Sequence, residues 1–338
     1  MPTKDELKML QSLPLEVKVL KTQQRIREWV THFGVDGVYV SFSGGKDSTV
    51  LLHLVRELYP DVEAVFVNTG LEYPEIQRFV KTFDNVNILY PEKSFKQVIC
   101  EYGYPIISKE VAKRIKEGRK GNKAALERLN GECYTKQGTK SLFNCEKYKP
   151  LLGTDFLISE LCCDIMKKNP AKLFEKQTDK KPIIATMAQE SQMREKVWIK
   201  EGCNAFNNNR PKSKPMSFWN EHDVLQYIKE ANIQICSVYG DIAAEGGQMV
   251  FDNCYCDLCT TGEHRTGCIF CGFGAHLEKG EGRFERLKRT HPKQYEFCIN
   301  GGAYDTDGIW KPNEHGLGMG HVFDVLNSLY GKDFIKYK

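Results

Sequence analysis

At 338 residues, 41% hydrophobic and 27% charged, the chain has an ordinary globular composition and is long enough for one large domain or two modest ones. A net charge of +4 is too mild to demand a polyanionic partner, and no apolar run is long enough for a transmembrane helix. The charged stretch Met1 to Glu16 lacks a secretory hydrophobic core, so a cytoplasmic location is expected, and thirteen cysteines there read as metal ligands or reactive thiols rather than disulfides.

Helical spacing runs over Leu15–Phe33, with Val17, Val19, Leu20, Ile26, Trp29 and Val30 on one face. Val38–Phe42 reads as a strand, Ser48–Leu58 as a helix, and Val62–Val67 as a fully buried parallel strand. Tyr73–Phe83 is a helix and Val86–Tyr90 a third strand. This alternation predicts an α/β fold built on a doubly wound parallel sheet, with ligands at the carboxyl ends of the strands. Lys109–Lys149 holds twelve Lys or Arg and five Glu, and reads as an exposed basic excursion. It is either a solvated face or a surface for a nucleotide tail, a nucleic acid or an acidic partner. Phe156–Leu161 and Pro170–Gln177 read as helices, Pro182–Ala185 as a strand, and Phe218–Ala231 as a helix with Asn220 at its N-cap. Gly240–Cys259 is irregular, and Glu281–Arg289 and His321–Tyr330 read as helices. The expected organisation is a helical segment over 1–34, a nucleotide-binding α/β domain over 35–235 with the basic insertion 109–149, and a cysteine-rich, helical C-terminal part over 236–338.

The most informative motif is Ser43-Gly44-Gly45-Lys46-Asp47-Ser48, set between the first strand and its helix. Two glycines let backbone approach a ligand, and the turn's N–H groups with the helix start make an anion site. Lys46 adds a charge, and Ser43 and Ser48 add hydroxyls. The spacing is not that of a Walker loop. The hexapeptide resembles the PP-loop of the N-type ATP pyrophosphatases, a superfamily that includes the phosphoadenylyl-sulfate (PAPS) and adenylyl-sulfate (APS) reductases. The resemblance implies an adenine nucleotide alpha hydrolase-like fold with a cysteine-rich C-terminal extension.

Two further segments extend the likeness to the PAPS reductase family. Asn68-Thr69-Gly70-Leu71-Glu72-Tyr73-Pro74-Glu75 resembles an Asp-Thr-Gly-x-x-Phe-Pro-Glu segment, with Asn68 in place of Asp. It implies that Thr69, Gly70 and Glu72 line the nucleotide pocket, with Glu72 and Glu75 available to ribose hydroxyls or Mg²⁺. Glu190-Ser191 leading to Arg194 resembles the segment that supplies an arginine, although Met187 and Ala188 stand where glycine is usual. Arg194 would grip phosphate or sulfate oxygens in a bidentate way.

Cys162-Cys163 and the later Cys268-x-x-Cys271 form the second constellation. Adjacent cysteines chelate one ion poorly yet can bind two irons of a cubane. The tandem pair with a distant CxxC resembles the ligand set of 4Fe–4S APS reductases, with Lys167 in place and Met166 departing. Zinc is the alternative, on Cys256, Cys259, Cys268 and Cys271, with Cys254 nearby.

The expected function is adenine-nucleotide-dependent sulfur chemistry. The first reading is an ATP pyrophosphatase using Lys46, Asp47, Arg194 and Mg²⁺ to activate a substrate for sulfur insertion, as in DNA phosphorothioation proteins. The second is a thiol-dependent PAPS or APS reductase. Those enzymes use a cysteine in a Glu-Cys-Gly-x-His segment absent here, which leaves Cys298 or a partner thiol; Cys298 reads equally as a buried helix thiol. The third is a nucleotide-binding regulator without catalysis. The expected partners are an adenine nucleotide, a nucleic acid at the basic insertion, a thiol reductant or sulfur-donor protein, and a second copy of the chain, with no membrane.

Overall fold

The computed structural model describes residues 2–244 and 258–338. By internal contacts the chain divides into two compact units, each gathered from three separate stretches. The first is Met1–Asn68, Glu72–Tyr90 and Pro170–Thr266; the second is Thr69–Leu71, Pro91–Asn169 and Gly267–Lys338.

The first unit is built on a six-stranded sheet. Val38–Ser41 pairs in parallel with Ala64–Val67 on one side and Lys181–Ile184 on the other. Val86–Leu89 continues the sheet beyond Ala64–Val67, and Lys212–Ser213 continues it beyond Lys181–Ile184. The short Asn204–Ala205 adds the antiparallel edge. Chain order therefore reverses at Val38–Ser41, whose two neighbours come from opposite directions in the sequence. In a parallel sheet that reversal opens a crevice at the strand's carboxyl end. The glycine motif leaves that end.

The helices on this sheet follow apolar stripes, though not always the expected residues. Leu15–Phe33 is helical as expected, but it buries Leu15, Lys18, Thr22, Ile26, Trp29 and Val30. Val17 and Leu20 are exposed. Lys18 is buried because Asp223 accepts its ammonium at 2.7 and 2.8 Å. Asp223 also closes the capping box of the helix Glu221–Glu230, whose N-cap is Asn220 as expected. Removing either partner of this ion pair would leave a buried charge uncompensated.

The second unit holds the basic insertion, and here the exposed excursion is not what forms. Lys109–Arg119 and Lys123–Asn130 are helices that bury Val111, Ala112, Ile115, Ala125 and Leu129. Their apolar residues recur at helical spacing beneath the charges. Much of the basic charge is spent internally. Arg114 pairs with Glu110 and Glu117, and Lys116 with Glu160. Arg119 donates to the carbonyls of Leu151, Leu152, Thr154 and Phe156 and to the Thr154 hydroxyl. One guanidinium thus organises the turn 151–156. Arg119→Ala is expected to lower stability by about 2–4 kcal/mol, because several carbonyls lose a charged donor together. Urea unfolding of the variant measures this, and a loss under 1 kcal/mol would contradict it.

Phe156–Leu161 is not a helix. Phe156 and Ile158 are buried while Leu157 between them is not, a period of two. Each makes a parallel bridge, Phe156 to Trp310 and Ile158 to Tyr104. Helices at Phe95–Tyr102, Arg283–Thr290, Pro292–Ile299 and Met319–Tyr330 complete this unit. Among the described residues, no helix is long and apolar enough to cross a membrane.

Candidate nucleotide and cysteine sites

Ser43-Gly44-Gly45 turns the chain from Val38–Ser41 into the helix Lys46–Leu58. Gly44 has φ of 70°, and a Cβ there would lie 2.8 and 2.9 Å from side-chain carbons of Val80 and Ile76. Only glycine fits this position without a shift. At Gly45 a Cβ would meet the Ser43, Tyr239 and Thr266 hydroxyls at 3.2–3.3 Å. The turn is therefore a shallow cradle ringed by oxygens. Ser48 fixes its shape: its hydroxyl accepts from the Ser43 N–H at 3.1 Å and donates to the Gly45 carbonyl at 2.9 Å.

Lys46 is almost fully buried, with 3% of its surface exposed. Its ammonium donates to the His264 carbonyl at 2.8 Å and meets Glu221 Oε1 at 3.1 Å. It lies 4.0 Å from Asp47 Oδ1. That Asp47 oxygen is buried and has no hydrogen-bond partner. Burial pushes the Asp47 carboxyl above its ordinary range; Lys46 opposes the shift and Glu221 adds to it, while Arg265 and Arg194 also oppose it. Lys46, Asp47 and Arg194 thus share one electrostatic neighbourhood. Arg194 rests on Glu190 in an ion pair, and burial together with Arg265 lowers its affinity for a proton.

The second unit gathers the cysteines. Cys162 Sγ and Cys163 Sγ are 4.0 Å apart. The Cys162 thiol is pushed up by its hydrogen bond to Cys163, by burial, and by the nearby charges of Cys163, Cys271 and Cys268. Cys163 is pulled down to about 5, first by the hydrogen bond from Cys162 and then, against burial, by Lys109 and Lys167. The charges of four sulfurs and two ammonium groups therefore act on one another. The Cys268–Cys271 turn is closed by the Cys271 N–H on the Cys268 carbonyl at 3.1 Å, and Arg283 holds the Cys271 carbonyl at 3.0 Å. Gly272 then runs in parallel beside Ile106, and a Cβ on it would lie 2.8 Å from the Pro105 carbonyl. Among the described residues, no three His, Cys, Asp or Glu are arranged for a single metal ion. The donor set is four thiols, the soft ligands that iron–sulfur clusters and zinc both take.

The family model described as the phosphoadenosine phosphosulfate reductase domain matches residues 37–120 and 136–271. The chain belongs to this family. A PAPS reductase of Xylella fastidiosa is 30% identical over 99 residues, 28% of this chain and 41% of that protein. A PAPS reductase of Xanthomonas axonopodis pv. citri is 33% identical over 70 residues, 21% of this chain and 29% of that one. The aligned region thus spans less than half the length of these relatives. Among solved structures, the PAPS reductase of Candida auris in a phosphate complex has a TM-score of 0.37 at 14% identity, covering 74% of this chain and 98% of that one. The FMN adenylyltransferase of Candida glabrata has a TM-score of 0.38 at 12% identity, covering 69% and 64%.

The remaining candidate residues are placed as follows. Thr69 and Gly70 belong to the second unit and Glu72 to the first. Thr69 is buried, and its hydroxyl accepts from the Leu71 N–H at 3.2 Å. Gly70 has φ of 72°, with open space where a Cβ would stand. Cys298 is fully buried with its sulfur 3.5 Å from that of Met319, and burial raises its thiol well above the ordinary range. It is a core thiol and not a displaced nucleophile. Cys254 and Cys256 of the zinc alternative lie outside the described residues, while Cys259 sits in the strand Leu258–Thr260.

Sequence reasoning missed Tyr239, Thr266, Glu221 and the His264 carbonyl at the glycine turn, and Lys109 beside Cys163. Thr266 was signalled only by its place just before Gly267-Cys268. Nothing in the sequence places Tyr239 at a turn nearly two hundred residues earlier.

Proposed function

We propose that this protein is an ATP pyrophosphatase that splits ATP to AMP and pyrophosphate to activate a substrate for sulfur transfer, and that it holds a 4Fe–4S cluster on Cys162, Cys163, Cys268 and Cys271. The observation that carries the nucleotide reading is the intact glycine turn with Lys46 buried in it beside a buried Asp47 oxygen that makes no hydrogen bond. ATP would seat its β- and γ-phosphates on the turn's N–H groups and the Lys46 ammonium. A substrate oxygen then attacks the α-phosphorus, and the bond to the bridging oxygen breaks. The electron pair leaves on pyrophosphate, where Lys46 and the turn stabilise the charge. Arg194, released from Glu190, would grip α-phosphate oxygens in a bidentate way. Asp47 would hold a Mg²⁺, which neutralises phosphate charge when bound. Thr69, Gly70 and Glu72 are assigned to the nucleotide pocket by family likeness alone. In the cysteine site, Lys109 and Lys167 offset the thiolate charge of the cluster, which supplies electron transfer when present.

The thiol-dependent PAPS or APS reductase is the second reading, and it needs a partner thiol because Cys298 is buried. Protein purified without oxygen and given ATP, APS or PAPS in turn separates the readings. Pyrophosphate and AMP from ATP are expected. Sulfite from PAPS or APS with a thiol would replace this reading by the reductase. Tight binding with no product would leave a regulator.

A further inference from the structure

Lys46 offers an anion two groups, its backbone N–H at the helix start and its ammonium. Both are already engaged by oxygens of the same unit. The backbone N–H donates to the Tyr239 hydroxyl at 3.2 Å. That hydroxyl is hydrogen-bonded to Thr266 Oγ1 at 2.6 Å. The ammonium is held by the His264 carbonyl at 2.8 Å and Glu221 at 3.1 Å, and lies 5.5 Å from the centre of the Tyr239 ring. Tyr239 is 2% exposed, so its ring is fixed and its hydroxyl cannot easily swing away. A phosphate oxygen taking the Lys46 N–H would need to sit about 2.7–3.2 Å from that nitrogen, where the Tyr239 oxygen now stands. Two acceptor oxygens cannot share that position.

We propose that Tyr239, Thr266, Glu221 and the His264 carbonyl are a built-in occupant of the phosphate cradle, which a polyphosphate must displace and which sets the site's affinity and its preference for highly charged anions. This rests on the phosphate-binding reading above and adds residues that neither motif nor family likeness assigns. Tyr239 and Thr266 imitate a phosphate oxygen with neutral hydroxyls, and Glu221 supplies the negative charge that Lys46 lacks in the absence of nucleotide. A singly charged anion gains too little from Lys46 to break this set. A di- or triphosphate gains both contacts at once. The residues act by competing with ligand, so they position and select; they do not touch the reacting atoms.

The test is calorimetric titration of pyrophosphate into the full chain at fixed ionic strength. Tyr239→Phe removes two hydrogen bonds of the occupant and Thr266→Val one, and both variants are expected to bind about two- to tenfold more tightly than wild type. Glu221→Gln is expected to bind more tightly too, with the gain shrinking as salt rises. Thr266→Ser keeps the hydroxyl and should bind as wild type does. Tyr239→Phe preserves the ring's packing, so it reports even where Thr266→Val disturbs folding. Wild type that binds pyrophosphate while Tyr239→Phe binds equally or less well would overturn the occupant and make Tyr239 a bystander or a ligand contact. Failure of every variant and wild type to bind pyrophosphate, indistinguishably from Lys46→Ala, would instead remove the phosphate site itself.

Discussion

Lys46→Ala is expected to bind ATP about ten- to a hundredfold more weakly than wild type, the loss that follows when a charged donor to phosphate is removed. The same substitution is expected to lower the melting temperature. A lysine projecting into a surface cleft could be truncated without harm to folding. Lys46 is instead buried, with its ammonium between Glu221 and the His264 carbonyl. Truncation leaves Glu221 without its cation and the carbonyl without its donor, and opens space against the Tyr239 ring. Lys46→Met separates the two effects. It keeps most of the stem's volume, so it should recover part of the lost stability and none of the lost affinity. Titration with ATP and a thermal melt of each variant measure both quantities. Equal ATP affinity in wild type and Lys46→Ala would remove the assignment of the turn as a nucleotide site.

The frame of the first unit was legible because its signals are local. Val38–Ser41, the double glycine and the helix from Lys46 follow one another without interruption, and hydrophobic strand runs alternate with helical spacing. Asn220 caps its helix as its residue type and position implied. Illegible parts depend on distant partners. Val111, Ile115 and Leu129 were hidden in a stretch dominated by lysine and arginine, where charge outweighed the helical stripe. Phe156 and Ile158 alternate over too few residues to separate strand from helix, and their bridges to Trp310 and Tyr104 decided it. At the turn, the glycines and Lys46 announced themselves, whereas Tyr239 and Thr266 are ordinary residues that matter only through position. The cysteines stood out as a set because few other reasons place a tandem pair and a glycine-flanked CxxC in one chain. Lys109 was not, since a lysine at a helix start carries no signal of the thiol it faces.

Protein prepared without oxygen is expected to be brown, with about four irons per chain. Cys162, Cys163, Cys268 and Cys271 come from stretches about a hundred residues apart in sequence yet lie in one unit. A cluster on them would tie the start of the helical turn Asp164–Lys168 to the turn before Gly272–Phe273. Cys163→Ser and Cys271→Ser should therefore lose iron and melt at lower temperature than wild type, because ligand loss removes binding energy that is also folding energy. Cys298→Ser should keep its iron, since that thiol packs against Met319 in the core. Lys109→Ala gives a finer check. Lys109 favours the charged form of Cys163, so its ammonium stands close to the negative sulfurs. Removing a positive charge disfavours the added electron, and the variant's cluster should be reduced at a lower potential than wild type while its iron content is unchanged. Iron analysis, absorbance spectra and redox titration of the four variants measure these outcomes. A colourless anaerobic preparation with stoichiometric zinc, kept in Cys162→Ser and lost in Cys256→Ser, would replace the cluster by a zinc site on Cys256, Cys259, Cys268 and Cys271.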